Sequence, residues 1–240
     1  MTELVSHLDT GHKEEMGNFV RNIFPSHEVW CVPFFRMGEV FFRKHPSRKE
    51  IINDMDNNIV NFYLMVRNRW EQLYFLIEGT LHCDFFSNLA DDLLKDEKTD
   101  ELYRAWAFWL KCNKAFVAPN KWSVNDLLPQ NEMKQGEVQK KVLQILSERL
   151  TNVYISNRDP VTLIQEADSP QTLFFIQPQT KKEVKLIEGL LKEIKGKIVV
   201  HYNDTYGLKK LVSKYGLYTD DDCLTQGICT NFKRQLKLFE

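Results

Sequence analysis

Four short stretches carry the residues whose types and order could do chemistry, and each follows an apolar run. Gln177-Pro178-Gln179-Thr180 comes after Thr172-Leu173-Phe174-Phe175-Ile176. Pro33-Phe34-Phe35-Arg36-Met37-Gly38 comes after Glu28-Val29-Trp30-Cys31-Val32. Asn53-Asp54-Met55-Asp56 follows Glu50-Ile51-Ile52, and Asn157-Arg158-Asp159 follows Asn152–Ile155. Gln177 leads into an amphipathic helical segment, so its setting is the end of a buried strand in an α/β domain, where ligands and chemistry gather. Its side chain offers one acceptor and two amide donors, with no negative charge. Asp54 and Asp159 precede helical segments, a position where aspartate caps exposed amides. Thr180 and Glu183 have the spacing of a capping box.

The elements that position these loops must come from a chain of 240 residues, enough for one large α/β domain or a core with an insertion. A hydrophobic content of 43%, with 12% aromatic, supplies a substantial core and argues against global disorder. The 32 basic and 33 acidic residues nearly cancel, which disfavours strong nonspecific binding to DNA and leaves open a local basic face. Five scattered cysteines without a C-x-x-C pair suit free thiols in a reducing cytoplasm better than a zinc site. Met1-Thr2-Glu3-Leu4 lacks a basic-then-apolar signal region, and no apolar run approaches the ~20 residues needed to cross a bilayer. The expectation is a soluble cytoplasmic protein with no membrane partner.

Periodicity predicts a helix from His12 to about Phe24 and a long core-facing helix from Asn58 to about Ile77, built on Ile59, Phe62, Tyr63, Val66, Trp70 and Leu73. From about Gly79 to Gln135 strand–helix alternation stops. Helical pieces at Phe85–Leu94 and Glu101–Phe116 and a looser stretch with Pro119, Trp122 and Pro129 suggest a helical insertion at 79–135. After a helix over Val138–Leu150 the alternation returns: strand Asn152–Ile155, helix Val161–Ala167, strand Thr172–Ile176, helix Lys181–Lys195 with Gly196 as its stop, strand Lys197–Val200, helix Thr205–Lys214. Segments 1–78 and 136–240 therefore form an α/β core with a mostly parallel sheet.

The order of these segments resembles the DNA adenine methyltransferases that modify GATC-like sites and their restriction-modification relatives. Members open with an aromatic-x-Gly-Gly-Lys loop, matched by Asp9-Thr10-Gly11-His12-Lys13. Their Glu-Pro-Phe-x-Gly-x-Gly-Ala-Val-Phe run corresponds to Val32-Pro33-Phe34-Phe35-Arg36-Met37-Gly38-Glu39-Val40-Phe41. An Asn-Asp-x-Asp turn is Asn53-Asp54-Met55-Asp56, an Asn-Arg-Asp-like turn is Asn157-Arg158-Asp159, and the final Asp-Pro-Pro-Tyr is Gln177-Pro178-Gln179-Thr180. Thr230-Asn231-Phe232 through Leu238-Phe239 is similar to the family's tail. The resemblance implies a Rossmann-like S-adenosylmethionine-dependent methyltransferase fold.

It also implies a vestigial cofactor site from Lys13, Pro33, Phe34, Gly38, Asp54 and Asp159. Asp54 would match the acid that holds the cofactor's ribose hydroxyls, and Asp159 a residue near its adenine ring. The alternatives are that Asp54 and Asp159 cap helices, that Lys13 is a solvated charge and that Phe34 is core. Arg36, Met37 and Glu39 stand where small residues are usual and Val32 where an acid is, so the pocket should be crowded and its charge altered.

In the family the loop's Asp and a proline carbonyl hold the amine of a flipped adenine, which stacks on the aromatic residue. Gln177 lacks the charge, Gln179 removes a proline of fixed φ and Thr180 has no ring. The expectation is a pseudoenzyme, with S-adenosylmethionine implied by the resemblance alone and its binding left open, that acts by binding DNA or an active methyltransferase subunit or as a homodimer. The alternative is an active adenine methyltransferase with a divergent loop. Arg104, Lys111, Lys114 and Lys121 among Tyr103, Trp106, Trp109 and Trp122 make the insertion a candidate DNA-recognition region, although the spacing of Leu102, Trp106, Trp109 and Leu110 also reads as a core stripe.

Overall fold

The structure is a computed structural model that describes residues 23–81, 83–115, 135–202, 204–221, 223 and 227–233. In chain order the elements are β1 (Val29–Val32), α1 (Glu39–Arg43), β2 (Lys49–Asn53), α2 (Asn57–Glu78), α3 (Asp84–Lys95), α4 (Glu101–Ala115), α5 (Gln135–Leu150), β3 (Val153–Ser156), α6 (Pro160–Ala167), β4 (Thr172–Ile176), α7 (Lys181–Glu188), β5 (Lys197–His201), α8 (Thr205–Tyr215) and β6 (Ile228–Thr230). Lys13, Lys121 and Trp122, nearly all of the helix expected over 12–24, and the tail beyond Lys233 lie outside the described residues.

The strands form one sheet in the order β3-β2-β1-β4-β5-β6. β1 pairs in parallel with both β2 and β4, and β4 with β5, while β6 runs antiparallel to β5. This is the mostly parallel α/β sheet expected of a Rossmann-like fold. The order runs outward from β1 to β3, then returns to the other side of β1 at β4. Between β1 and β4 lies the topological switch point, outside whose carboxyl ends open α/β sheets bind ligands.

The chain groups into two compact units, one of residues 18–36, 46–55 and 156–240, the other of residues 1–17, 37–45 and 56–155. In the first, β4 is buried at all five positions, as a strand covered on both faces must be. Phe174, Ile176, Ile198 and Val200 pack with Leu163 and Ile164 of α6, Val184 and Ile187 of α7, and Leu208 and Leu211 of α8. In the second unit α2 packs against α4 and α5, and α3 against α4.

Three elements differ from expectation for local reasons. The helix expected over Lys181–Lys195 ends at Glu188, where Gly189 lowers helix propensity and the chain continues in turns through Glu193. Gly196 is therefore not the helix stop. A Cβ there would meet the Thr172 carbonyl at 2.8 Å and that of Ser169 at 2.9 Å, so the entry to β5 needs a residue without a side chain. α1 and β6, of five and three residues, are too short to show a period and were not expected.

Candidate functional site at the strand ends

Asn53 and Asp54 close β2, and the chain buries both, each 1% exposed. A buried amide must satisfy two donors and an acceptor. Asn53 Nδ2 donates to the carbonyls of Pro33 and Arg158, both at 3.0 Å. Its Oδ1 accepts from Ser156 Oγ and from the Arg158 amide, both at 2.8 Å. One side chain thus fastens the loops that follow β1, β2 and β3. Two further bonds repeat the pattern: the Phe35 main-chain N donates to Asn53 O at 2.8 Å, and the Asn157 side-chain Nδ2 donates to Asp54 O at 2.7 Å. In the sequence Asn53 stands out only as part of a turn.

Asp54 does not cap the helix after it. Asp56 does, accepting from the Asn58 amide at 2.9 Å, because it stands directly before the first helical residue. The Asp54 carboxylate turns to the loop after β1, where Oδ2 accepts from the Arg36 amide at 2.8 Å. Asp159 does cap its helix, accepting from the Thr162 amide at 2.9 Å, with Pro160 in the first turn. Arg158 beside it makes a two-pronged pair with Glu166 at 2.7 and 2.6 Å.

Arg36 adopts φ 58°, and among described non-glycine residues no other has a positive φ. The backbone therefore keeps, at Arg36, the left-handed turn that glycine favours. A side chain there costs about 1–2 kcal/mol, so neighbouring contacts must hold it. They are visible: Arg36 Nη2 donates to Glu183 Oε1 at 2.5 Å, Nη1 lies 3.9 Å from Asp54 Oδ1, and the guanidinium sits 5.7 Å from the centroid of the Phe34 ring. Since Arg36 follows β1 and Glu183 belongs to α7 after β4, this ion pair spans the switch point. Nε of Arg36 is buried without a hydrogen-bond partner. Phe34 itself is core.

Glu183 is the second anchor. Its Oε2 accepts from the amides of Gln179 at 2.7 Å and Thr180 at 3.2 Å, while Thr180 Oγ1 accepts from the Glu183 amide, completing the capping box. Burial raises the Glu183 carboxyl, but the Arg36 guanidinium with the Gln179 and Thr180 amides outweighs it and holds the group below the ordinary glutamate value. Gln177 Nε2 lies 2.9 Å from His201 Nδ1 on β5, a partner that no motif pointed to. Pro178 is buried, and Gln179 and Thr180 are exposed.

The second unit holds Gly38, which has φ 69° and precedes α1. There Glu39 pairs with Arg43 at 2.6 Å, and Tyr63 Oη donates to the Met37 carbonyl at 2.8 Å. In the proposed insertion, Leu102, Trp106 and Leu110 are buried, and Trp106 Nε1 donates to Thr80 Oγ1 at 2.7 Å. Lys111 pairs with Asp91 at 2.5 Å, and Arg104 Nη2 donates to the Asp96 carbonyl at 2.6 Å. Among the described residues no cluster of side chains could hold a metal ion, and no helix is long and apolar enough to cross a membrane.

No curated protein matches the chain. The family model for D12 class N6 adenine-specific DNA methyltransferase matches residues 10–179, ending inside the loop after β4. Motif order, sheet order and a match over well more than half of the sequence agree, and the chain belongs to the D12 class N6 adenine-specific DNA methyltransferase family.

Proposed function

We propose that this chain keeps the methyltransferase fold, has lost methyl transfer and works by binding DNA or an active methyltransferase subunit. The family uses S-adenosylmethionine. The observation that carries the reading is the Arg36–Glu183 pair across the switch point, with the Arg36 amide on Asp54. These residues do not fit the cofactor. A guanidinium stands against the carboxylate that would face the ribose, and its positive charge opposes a sulfonium. The loop after β4 is committed elsewhere: Glu183 engages the Gln179 and Thr180 amides, and Gln177 is engaged with His201.

Isothermal titration with S-adenosylmethionine, followed by methyl transfer to mixed-sequence DNA, tests the reading. No saturable binding and no turnover are expected, and turnover refutes it. The second reading is an active adenine methyltransferase with a divergent loop. It is favoured by the left-handed turn retained at Arg36 and the burial of Asp54 at the end of β2. The region 79–135 stays the proposed recognition element for the partner.

A further inference from the structure

We propose that the outer face formed by α7, the turns after it and α8 is a contact surface for the sugar–phosphate backbone of duplex DNA. This rests on the reading that the chain works by binding, and it selects DNA from the two partners named there.

Charge is segregated in this chain. Across 240 residues 32 basic side chains meet 33 acidic ones, yet between Gln177 and Gly216 nine lysines stand against four acids. Three of those acids are engaged: Glu183 with Arg36, Glu188 with Lys214, and Asp204 as the cap of α8 through the Gly207 amide. Lys181, Lys182, Lys185, Lys192, Lys209 and Lys210 are exposed. The two helices are neighbours, since Lys214 Nζ reaches Glu188 Oε2 at 3.0 Å and Lys192 Nζ lies 5.8 Å from the Tyr215 ring centroid.

Both helices start at the carboxyl ends of their strands, so Lys181, Lys182 and Lys185 follow the loop at Gln177 and extend down the layer. On α8, Tyr206 is 81% exposed and shares a face with Lys209 and Lys210, three and four residues on. A flat ring among cations suits a sugar edge flanked by phosphates. The eleven residues of α8 are about 16 Å long, enough to follow several backbone charges spaced about 1.7 Å apart along the duplex axis. In the 79–135 region Arg104 and Lys111 are turned onto its own carbonyls and carboxylate, and the exposed Lys95 and Lys98 stand among Asp91, Asp92, Asp96 and Glu97.

The test is fluorescence anisotropy of the full chain with a mixed-sequence 20-base-pair duplex lacking GATC, over a series of salt concentrations. Changing Lys181, Lys182, Lys185, Lys209 and Lys210 together to Gln should weaken binding at least thirtyfold at low salt. It should also flatten the slope of log affinity against log salt by about 0.9 for each phosphate contact removed. The exposed pair Lys140→Gln with Lys141→Gln on α5, outside both this face and the 79–135 region, serves as the control and should leave both unchanged. Equal effects of the two variants, or no binding at low salt, overturn the proposal. Competition by polyglutamate as strong as by duplex also overturns it, in favour of an acidic protein. Cofactor titration run alongside reports separately: turnover sinks the loss of catalysis, and lysine-independent duplex affinity sinks this surface.

Discussion

The loops after β1, β2 and β3 and the loop after β4 lie along the carboxyl edge of one sheet but are held by opposite means. The first three are tied from within by one buried amide, Asn53, whose four hydrogen bonds leave it no spare capacity. The fourth is tied from its flank. Glu183, one turn into α7, engages the Gln179 and Thr180 amides and the Arg36 guanidinium. A buried network specifies geometry closely because every missing partner is expensive in a medium that screens poorly. A partly exposed ion pair specifies less and can be rearranged. The difference separates a scaffold that must stay from a closure that a few substitutions could undo.

Asn53→Ala attacks the scaffold and should have the largest effect. It strands two carbonyls, an amide and the Ser156 hydroxyl together, which implies a loss of about 3–5 kcal/mol in urea unfolding. A loss under 1 kcal/mol would mean that the three loops do not depend on this side chain. Arg36→Gly attacks the closure. It relieves the left-handed strain of about 1–2 kcal/mol while removing the pair with Glu183, so stability should hardly change. Saturable binding of S-adenosylmethionine should appear in titration calorimetry, at least tenfold tighter than any shown by the unsubstituted chain, and its absence would show that Arg36 does not govern cofactor binding.

Thr180→Ala removes one half of the capping box and should lower stability by about 1 kcal/mol, read by thermal unfolding. The smallest effect belongs to the protonation of Glu183. Its folded value lies below the ordinary one, so its contribution is present above the unfolded value and is lost as pH falls through the folded value. Glu183→Gln should flatten that acid limb of the stability curve by less than about 1 kcal/mol, since the pair is partly exposed. A wild-type curve of the same shape as the variant's would assign the acid sensitivity to other carboxylates.

Apolar period and order along the chain determined the α/β class, the strand Thr172–Ile176 and the capping box at Thr180, because those depend on near neighbours. The family resemblance rested likewise on the sequence of motifs. Short elements such as β6 carry too few residues for a period, and Gly196 had a reason visible only where β5 comes against the carbonyl of Thr172. Whether Asp54 or Asp56 caps α2 turned on two aspartates separated by a single residue, which composition cannot tell apart. The partners of Arg36 and Gln177, at Glu183 and His201, lie 147 and 24 residues away. Such pairings come into being only when parallel strands bring distant loops to one edge. The residue types were legible in advance, but the distances that bring them to one edge belong to the folded chain.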